Sequence, residues 1–181
     1  VTQYLFLSFY NGQYDTNNLF YYPKLDALKY MESPRLFTQT PSDNLKEEIM
    51  DLVVSIQYDL NNTGLLAANM PIKLFYAGKW WTIGCKATLL LYLELEKTGV
   101  DVRTIRTHVV SGPKPLEFLN RILLNDIVVL EDDGKYGYKW LEKDYDCKQI
   151  FLKNYVIFKE YNIGPEKIKI AIKRDFFNNA L

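Results

Sequence analysis

A chain of 181 residues, 48% of them hydrophobic, can bury a full core, which excludes an intrinsically disordered protein. Lysine plus arginine equals aspartate plus glutamate at 22 each, so no global positive field draws the chain to nucleic acid, and any basic surface has to be local. Two distant cysteines, Cys85 and Cys147, and a single histidine, His108, are too few for a zinc site.

The first segment, Gln3 to Tyr10, reads as a largely buried strand rich in aromatics, ended by the turn pair Asn11-Gly12. Residues 13–41 are irregular, with a short strand expected at Leu19–Tyr22, stopped by Pro23, and a short helix at Leu25–Met31. Ser42 offers an N-cap to a helix reaching about Leu60. Its apolar positions Leu45, Ile49, Leu52, Val53, Ile56 and Leu60 share one face, and Gly64 closes it. Ile72–Tyr76 and Trp80–Ile83 flank Ala77-Gly78-Lys79 and predict a hairpin.

The spacing of Leu89, Leu90 and Leu93 predicts a helix over Lys86–Lys97, ended by Gly99. Asp101 caps a second, shorter helix through Val102, Ile105 and Val109. Ser111-Gly112-Pro113-Lys114-Pro115 leads into a third, Leu116–Asn125. Ile127–Glu131 and Tyr136–Leu141 form a second hairpin around Asp133-Gly134. A further helix is expected over Ile150–Tyr161, with the aromatic stripe Phe151, Tyr155, Phe158, broken by Gly164-Pro165. The last segment, Lys167–Phe177, alternates like a strand yet also fits a helix; Pro165-Glu166 as a first turn favours the helix.

Three helices followed by a two-stranded hairpin resemble a winged helix-turn-helix domain. The residues that carry the resemblance are "ATLLLYLELEKTG", "VDVRTIRTHVV", "SGPKPLEFLNRILLND" and, for the wing, "IVVLEDDGKYGYKWLEK". The expected architecture is therefore α+β: a mixed α/β N-terminal portion at 1–78, a winged-helix-like domain at 79–145 and a C-terminal helical extension at 146–181. In such a unit Leu116, Leu119, Ile122 and Leu123 pack inward, and Ile127, Val129 and Trp140 anchor the wing to the same core. Asn125-Asp126 stands where the family usually has glycine, a position those side chains tolerate.

The resemblance implies a third helix lying in the major groove, where Asn120 and Arg121 would read base edges. Arg103, Arg106, Lys114, Lys135 and Lys139 would hold phosphates. Against this, Glu117 and the acidic wing tip Glu131-Asp132-Asp133 repel phosphate, and charges from Lys79 to Lys143 nearly balance. Two readings stay open with equal standing. One is a non-catalytic factor of transcription or replication that binds double-stranded DNA. The other is a protein-interaction module, polymerase-associated or inhibitory, built on the same scaffold. A third is the DNA-reading part of a metal-dependent nuclease.

Other features have plainer explanations. Glu94-Leu95-Glu96-Lys97 echoes a nuclease carboxylate–lysine motif but reads as one exposed helix surface. Gly112-Pro113-Lys114 lacks the spacing of a phosphate-binding loop, and no cofactor motif is present. Tyr21, Tyr22, Trp80, Trp81, Tyr136 and Tyr138 could stack bases, though such aromatics more often fill a core. Lys167, Lys169, Lys173 and Arg174 make the one local basic concentration. Buried thiols, no leader before the first strand and no membrane-length apolar run fit a cytoplasmic protein. The chain begins at Val1, which fits a fragment, a processed product or a trimmed chain. A homodimer is expected, if one forms, through the C-terminal helices.

Overall fold

A computed structural model describes residues 20–21, 43–68, 70–78, 83–106, 114–132, 137–164 and 166–176. The expected strand at 3–10, the short helix at 25–31, Trp80 and Trp81, and the wing turn at 133–136 lie outside them. In chain order the elements are β1 (Phe20–Tyr21), α1 (Asp43–Asn62), a 3-10 turn (Leu65–Ala68), β2 (Ile72–Ala77) and α2 (Ile83–Lys97). Then come β3 (Val102–Arg106), α3 (Pro115–Ile122), β4 (Ile127–Glu131), α4 (Tyr138–Glu142), α5 (Tyr145–Asn154), β5 (Tyr155–Ile163) and β6 (Glu166–Lys173).

The protein is mixed α/β, as the composition of elements in the sequence suggested. A mixed sheet runs in the order β1-β3-β2-β4-β6-β5. β3, β2 and β4 are parallel, β6 is antiparallel to β4, and β5 and β6 form an antiparallel hairpin. The two-residue β1 lies antiparallel along β3. The neighbours β2, β4 and β6 come from the segments 1–78, 79–145 and 146–181 respectively, so one sheet joins all three.

Alternation along the strands explains the three layers. On β4, Ile127 and Val129 join one core and Val128 and Leu130 the other, so an unbroken apolar run is buried on both faces. β2 divides likewise, with Ile72 and Leu74 on one side and Phe75 and Ala77 on the other. On β6, Ile168, Ile170 and Ile172 face the first core and Ala171 the second. Helices α1 and α2 close the first core, α3, α4 and α5 the second. β2 reaches β3 through α2 on one face, and β3 returns past β2 to β4 through α3 on the other. The two crossovers therefore share one hand, as parallel connections do.

The helices at α1, α2 and α3 and the strands at 72–77 and 127–131 stand where the sequence predicts them. On α1, Ile49, Leu52, Val53, Ile56 and Leu60 are all buried. Four expectations are overturned. The segment expected as the second helix of the trihelical unit is the strand β3, because Val102 and Thr104 recur at a period of two and pair with Ile72 and Leu74 of β2. Within the expected second wing strand, Tyr138–Leu141 belongs to the helix α4, which starts after Gly137 at positive φ and buries Leu141. The helix expected over 150–161 ends at Asn154. The β-rich run Tyr155-Val156-Ile157-Phe158 continues as β5. The final segment takes the alternating option and forms β6, whose partners on both sides supply its hydrogen bonds.

Of the strand expected at Trp80–Ile83, residues 80–82 lie outside the described residues, and Ile83 opens α2. Leu119 and Trp140 do share one interior, and Ile122 is buried there, but Leu116 is 56% exposed and Phe118 takes the inward place. No helix among the described residues is long and apolar enough to cross a membrane.

Candidate nucleic-acid interface

In a parallel sheet, ligands gather beyond the carboxyl ends of the strands, where neighbouring strands send their helices to opposite faces. Here that place lies between β2, which leads into α2, and β4, which leads into α4. Ala77 pairs with Leu130 at this edge, and Gly78 and Glu131 follow. A Cβ on Gly78 would lie 2.6 Å from Glu131 Cβ, 2.7 Å from the Tyr76 hydroxyl and 2.8 Å from Glu131 Oε2. The carboxylate and the phenol therefore converge over a residue that must be glycine. Gly137 approaches from the far side, against the carbonyl oxygens of Glu131 and Ala77.

Three acids of this edge, Glu131, Asp132 and Glu166, are engaged within the protein, whereas Glu117 in the first turn of α3 is exposed. Glu131 is 5% exposed. Asp132 Oδ2 lies 3.1 Å from Lys169 Nζ, and Lys169 also holds Glu160. Burial works against the charge on Lys169, but the hydrogen bonds it donates to Glu160 and Asp132 outweigh it and hold the amine above its ordinary range. The same amine sits 5.1 Å over the Tyr138 ring, which meets Phe151 edge-on and so belongs to the core rather than to a stacking platform. Glu166 Oε2 accepts the Ile83 N–H at 2.9 Å, placing a carboxylate of the chain itself at the N-terminus of α2.

The bases are placed differently. Arg106 is the last residue of β3 and so stands at the carboxyl edge. α3 ends beside the start of β4, so its first residues and the preceding Lys114 lie at that edge too. Lys139 is the second residue of α4, which leaves from the same edge through Gly137. Lys114 and Lys139 are exposed, and neither makes an ion pair among the described residues. Lys135 lies outside the described residues.

Arg103 is at the opposite edge, in register with Lys73 and 3.8 Å from Asp101. Arg121 is half-buried in the last turn of α3, where its carbonyl accepts the Asn125 amide at 3.0 Å. Asn120 is exposed in the second turn of α3, away from Lys114. The structure thus brings Arg106, Lys114 and Lys139 to one edge and leaves Arg103, Asn120 and Arg121 off it.

At the amino edge the polar groups tie strands together. Asp126 Oδ2 accepts the Lys73 N–H at 2.9 Å, and Lys173 Nζ donates to the Leu123 carbonyl at 2.7 Å. In the C-terminal basic group Arg174 donates to the Leu152 carbonyl and Lys169 is paired as above, while Lys167 is exposed. A cleft of about 360 Å³ between α1 and the β5–β6 turn is lined by Glu48, Asp51 and Tyr161 and has no basic side chain, so it offers phosphate nothing. Cys85 and Cys147 are buried, and neither is in a disulfide. Burial, followed by the nearby Asp144, pushes the Cys147 thiol up.

Sequence reading passed over Gly78, Tyr76 and the Asp132–Lys169 pair. The available signal was that two apolar runs, 72–77 and 127–130, end abruptly in glycine or acid, as strand ends at such an edge do. No protein-family model matches the chain, and no curated protein or solved structure is similar to it.

Proposed function

We propose that the protein binds nucleic acid without catalysis, duplex DNA foremost, with the phosphate backbone crossing the carboxyl ends of β2, β3 and β4. One observation carries this reading. At that edge Glu131 is buried and Asp132 and Glu166 are bonded within the protein, while Lys114 and Lys139 stand exposed and outside any ion pair among the described residues; Glu117, exposed in the first turn of α3, opposes them. A neutral chain can in this way turn a positive face outward. Arg106, the last residue of β3, belongs to the same edge, and Lys135 lies outside the described residues. Base reading by Asn120 and Arg121 is not part of the proposal, because α3 presents its first turn rather than its length to this edge. Among the described residues no three of the histidine, cysteine, aspartate or glutamate side chains are grouped to hold a metal ion, and the nuclease reading is not carried forward.

The test is fluorescence anisotropy of a labelled duplex titrated with the protein at several salt concentrations. Binding should weaken steeply with salt. Lys114→Ala and Lys139→Ala should each reduce the logarithmic salt slope by about one. Arg121→Ala should leave affinity unchanged. Salt-insensitive binding, or equal affinity in the Lys114→Ala/Lys139→Ala double variant, would discard the proposal.

A further inference from the structure

We propose that a second copy of this chain docks on the outer face of α1, in an antiparallel pair about a two-fold axis at Val54. Along α1, Ile49, Val53, Ile56 and Leu60 are buried in the first core, yet Met50, Val54 and Tyr58 are 36%, 57% and 65% exposed. Single exposed apolar residues are ordinary. These three instead follow one another at every fourth position and form one continuous ridge on the solvent side.

The ridge is symmetric about its middle member. An antiparallel copy centred on Val54 places Val54 against Val54, and Met50 against Tyr58 of the second copy. Packing such a ridge against its own image is the commonest class of helix contact, with a crossing angle near about −50°. A contact of this kind is isologous and closes on itself as a dimer.

Charge selects the occupant and its direction. The first half of the exposed face carries Glu47, Glu48 and Asp51, and the second half carries Gln57, Asn61 and Asn62. Antiparallel pairing sets carboxylates of one copy against amide donors of the other. Parallel pairing would set carboxylate against carboxylate. The free edge of the sheet competes poorly, because β5 carries a register irregularity between Ile157 and Lys159 and exposes Lys159 and Glu160. Of the C-terminal helices through which the sequence suggested a dimer, one is cut short at Asn154 as α5 and 155–173 is the β5–β6 hairpin.

Sedimentation velocity over a concentration series of the whole chain tests this. The wild-type protein should show a reversible monomer–dimer equilibrium. Val54→Glu, which sets two carboxylates at the axis, should weaken dimerisation by about tenfold or more while leaving the circular dichroism spectrum unchanged. In a second measurement, Val54→Cys should form a disulfide-linked dimer under mild oxidation, and Tyr58→Cys should not. Four residues from the axis, the two copies of position 58 are roughly 12 Å apart along the helix, beyond disulfide reach. A protein that stays monomeric throughout overturns the proposal. So does a dimer that survives Val54→Glu, or a Val54→Cys variant that does not cross-link.

Discussion

At Gly137 the backbone holds φ at +80°, and a Cβ would lie 2.3 Å from the Glu131 carbonyl oxygen and 2.9 Å from that of Ala77. Both obstacles are main chain at the ends of β4 and β2, so neither can swing aside. Gly99 has a similar φ of +86° but nothing within 4 Å. Alanine at position 99 should therefore cost only the conformational penalty, about 1 kcal/mol, whereas Gly137→Ala should cost clearly more and loosen the carboxyl edge. Urea unfolding of the two variants measures the difference; equal losses would mean that the strand ends give way. Tyr155 is a second point of close constraint. Its hydroxyl lies 2.6 Å from the Ile122 carbonyl and 2.5 Å from that of Asn125, which fastens the end of α3 to the start of β5. Tyr155→Phe removes the donor and leaves buried acceptors, so stability should fall by about 1–3 kcal/mol with little change in fold.

Among the elements, legibility followed the range of the deciding interactions. α1 could be read directly because its five buried residues on one face are a local pattern that needs no partner. β3 could not. Asp101 and the apolar spacing of Val102, Ile105 and Val109 favoured a helix locally, and only β2, about thirty residues earlier in sequence, supplies the hydrogen bonds that make the segment a strand. β6 shows the same competition: its alternation was visible, but the Pro165-Glu166 start argued for a helix until β4 and β5 settled it. The edge that gathers Arg106, Lys114 and Lys139 was hidden for this reason, since it exists only once the strand order is known. Asp59 illustrates how α1, local in origin, is then fixed to the sheet. Its Oδ2 accepts from Tyr161 at 2.6 Å and Lys159 at 2.9 Å on β5. The Tyr161 hydrogen bond, then Lys159, holds the Asp59 carboxyl below its ordinary range. Asp59→Ala should lower stability by about 1 kcal/mol, mostly through Tyr161, because Lys159 is half exposed and its share is screened. Lys159→Ala should cost distinctly less when the two variants are compared by thermal melts.

For the molecule as a whole, the distribution of buried phenols sets the response to pH. Burial, then Glu96, pushes Tyr92 up to about 12. Burial, then Asp126, raises Tyr155; burial, then the hydrogen bond with Asp59, raises Tyr161. Tyr92 and Tyr161 belong to the α1–α2 side of the sheet and Tyr155 to the other, so both layers carry the same liability. A group whose folded pKa exceeds its unfolded value contributes fully below the unfolded pKa, here 10.0, and loses that contribution as pH rises toward the folded one. Above pH 10 the unfolded chain ionises these phenols while the folded chain keeps them protonated, so unfolding releases protons and stability falls. Lys169, also raised, adds to the same limb. The acid limb is weaker. Asp59 and Glu160 are lowered and contribute only above their unfolded values, but Glu160 is solvent-exposed, and Asp126, raised by burial, works in the opposite direction. Because the two cores share one sheet, the loss should be cooperative rather than confined to one face. The expected outcome is a Tm that falls from pH 10 to about 12 more steeply than it does on acidification. The slope should be reduced in Tyr155→Phe or Tyr161→Phe relative to wild type. Circular dichroism melts across that range measure it, and a Tm that holds level there would mean that the phenols are not buried in the folded chain as the two cores require.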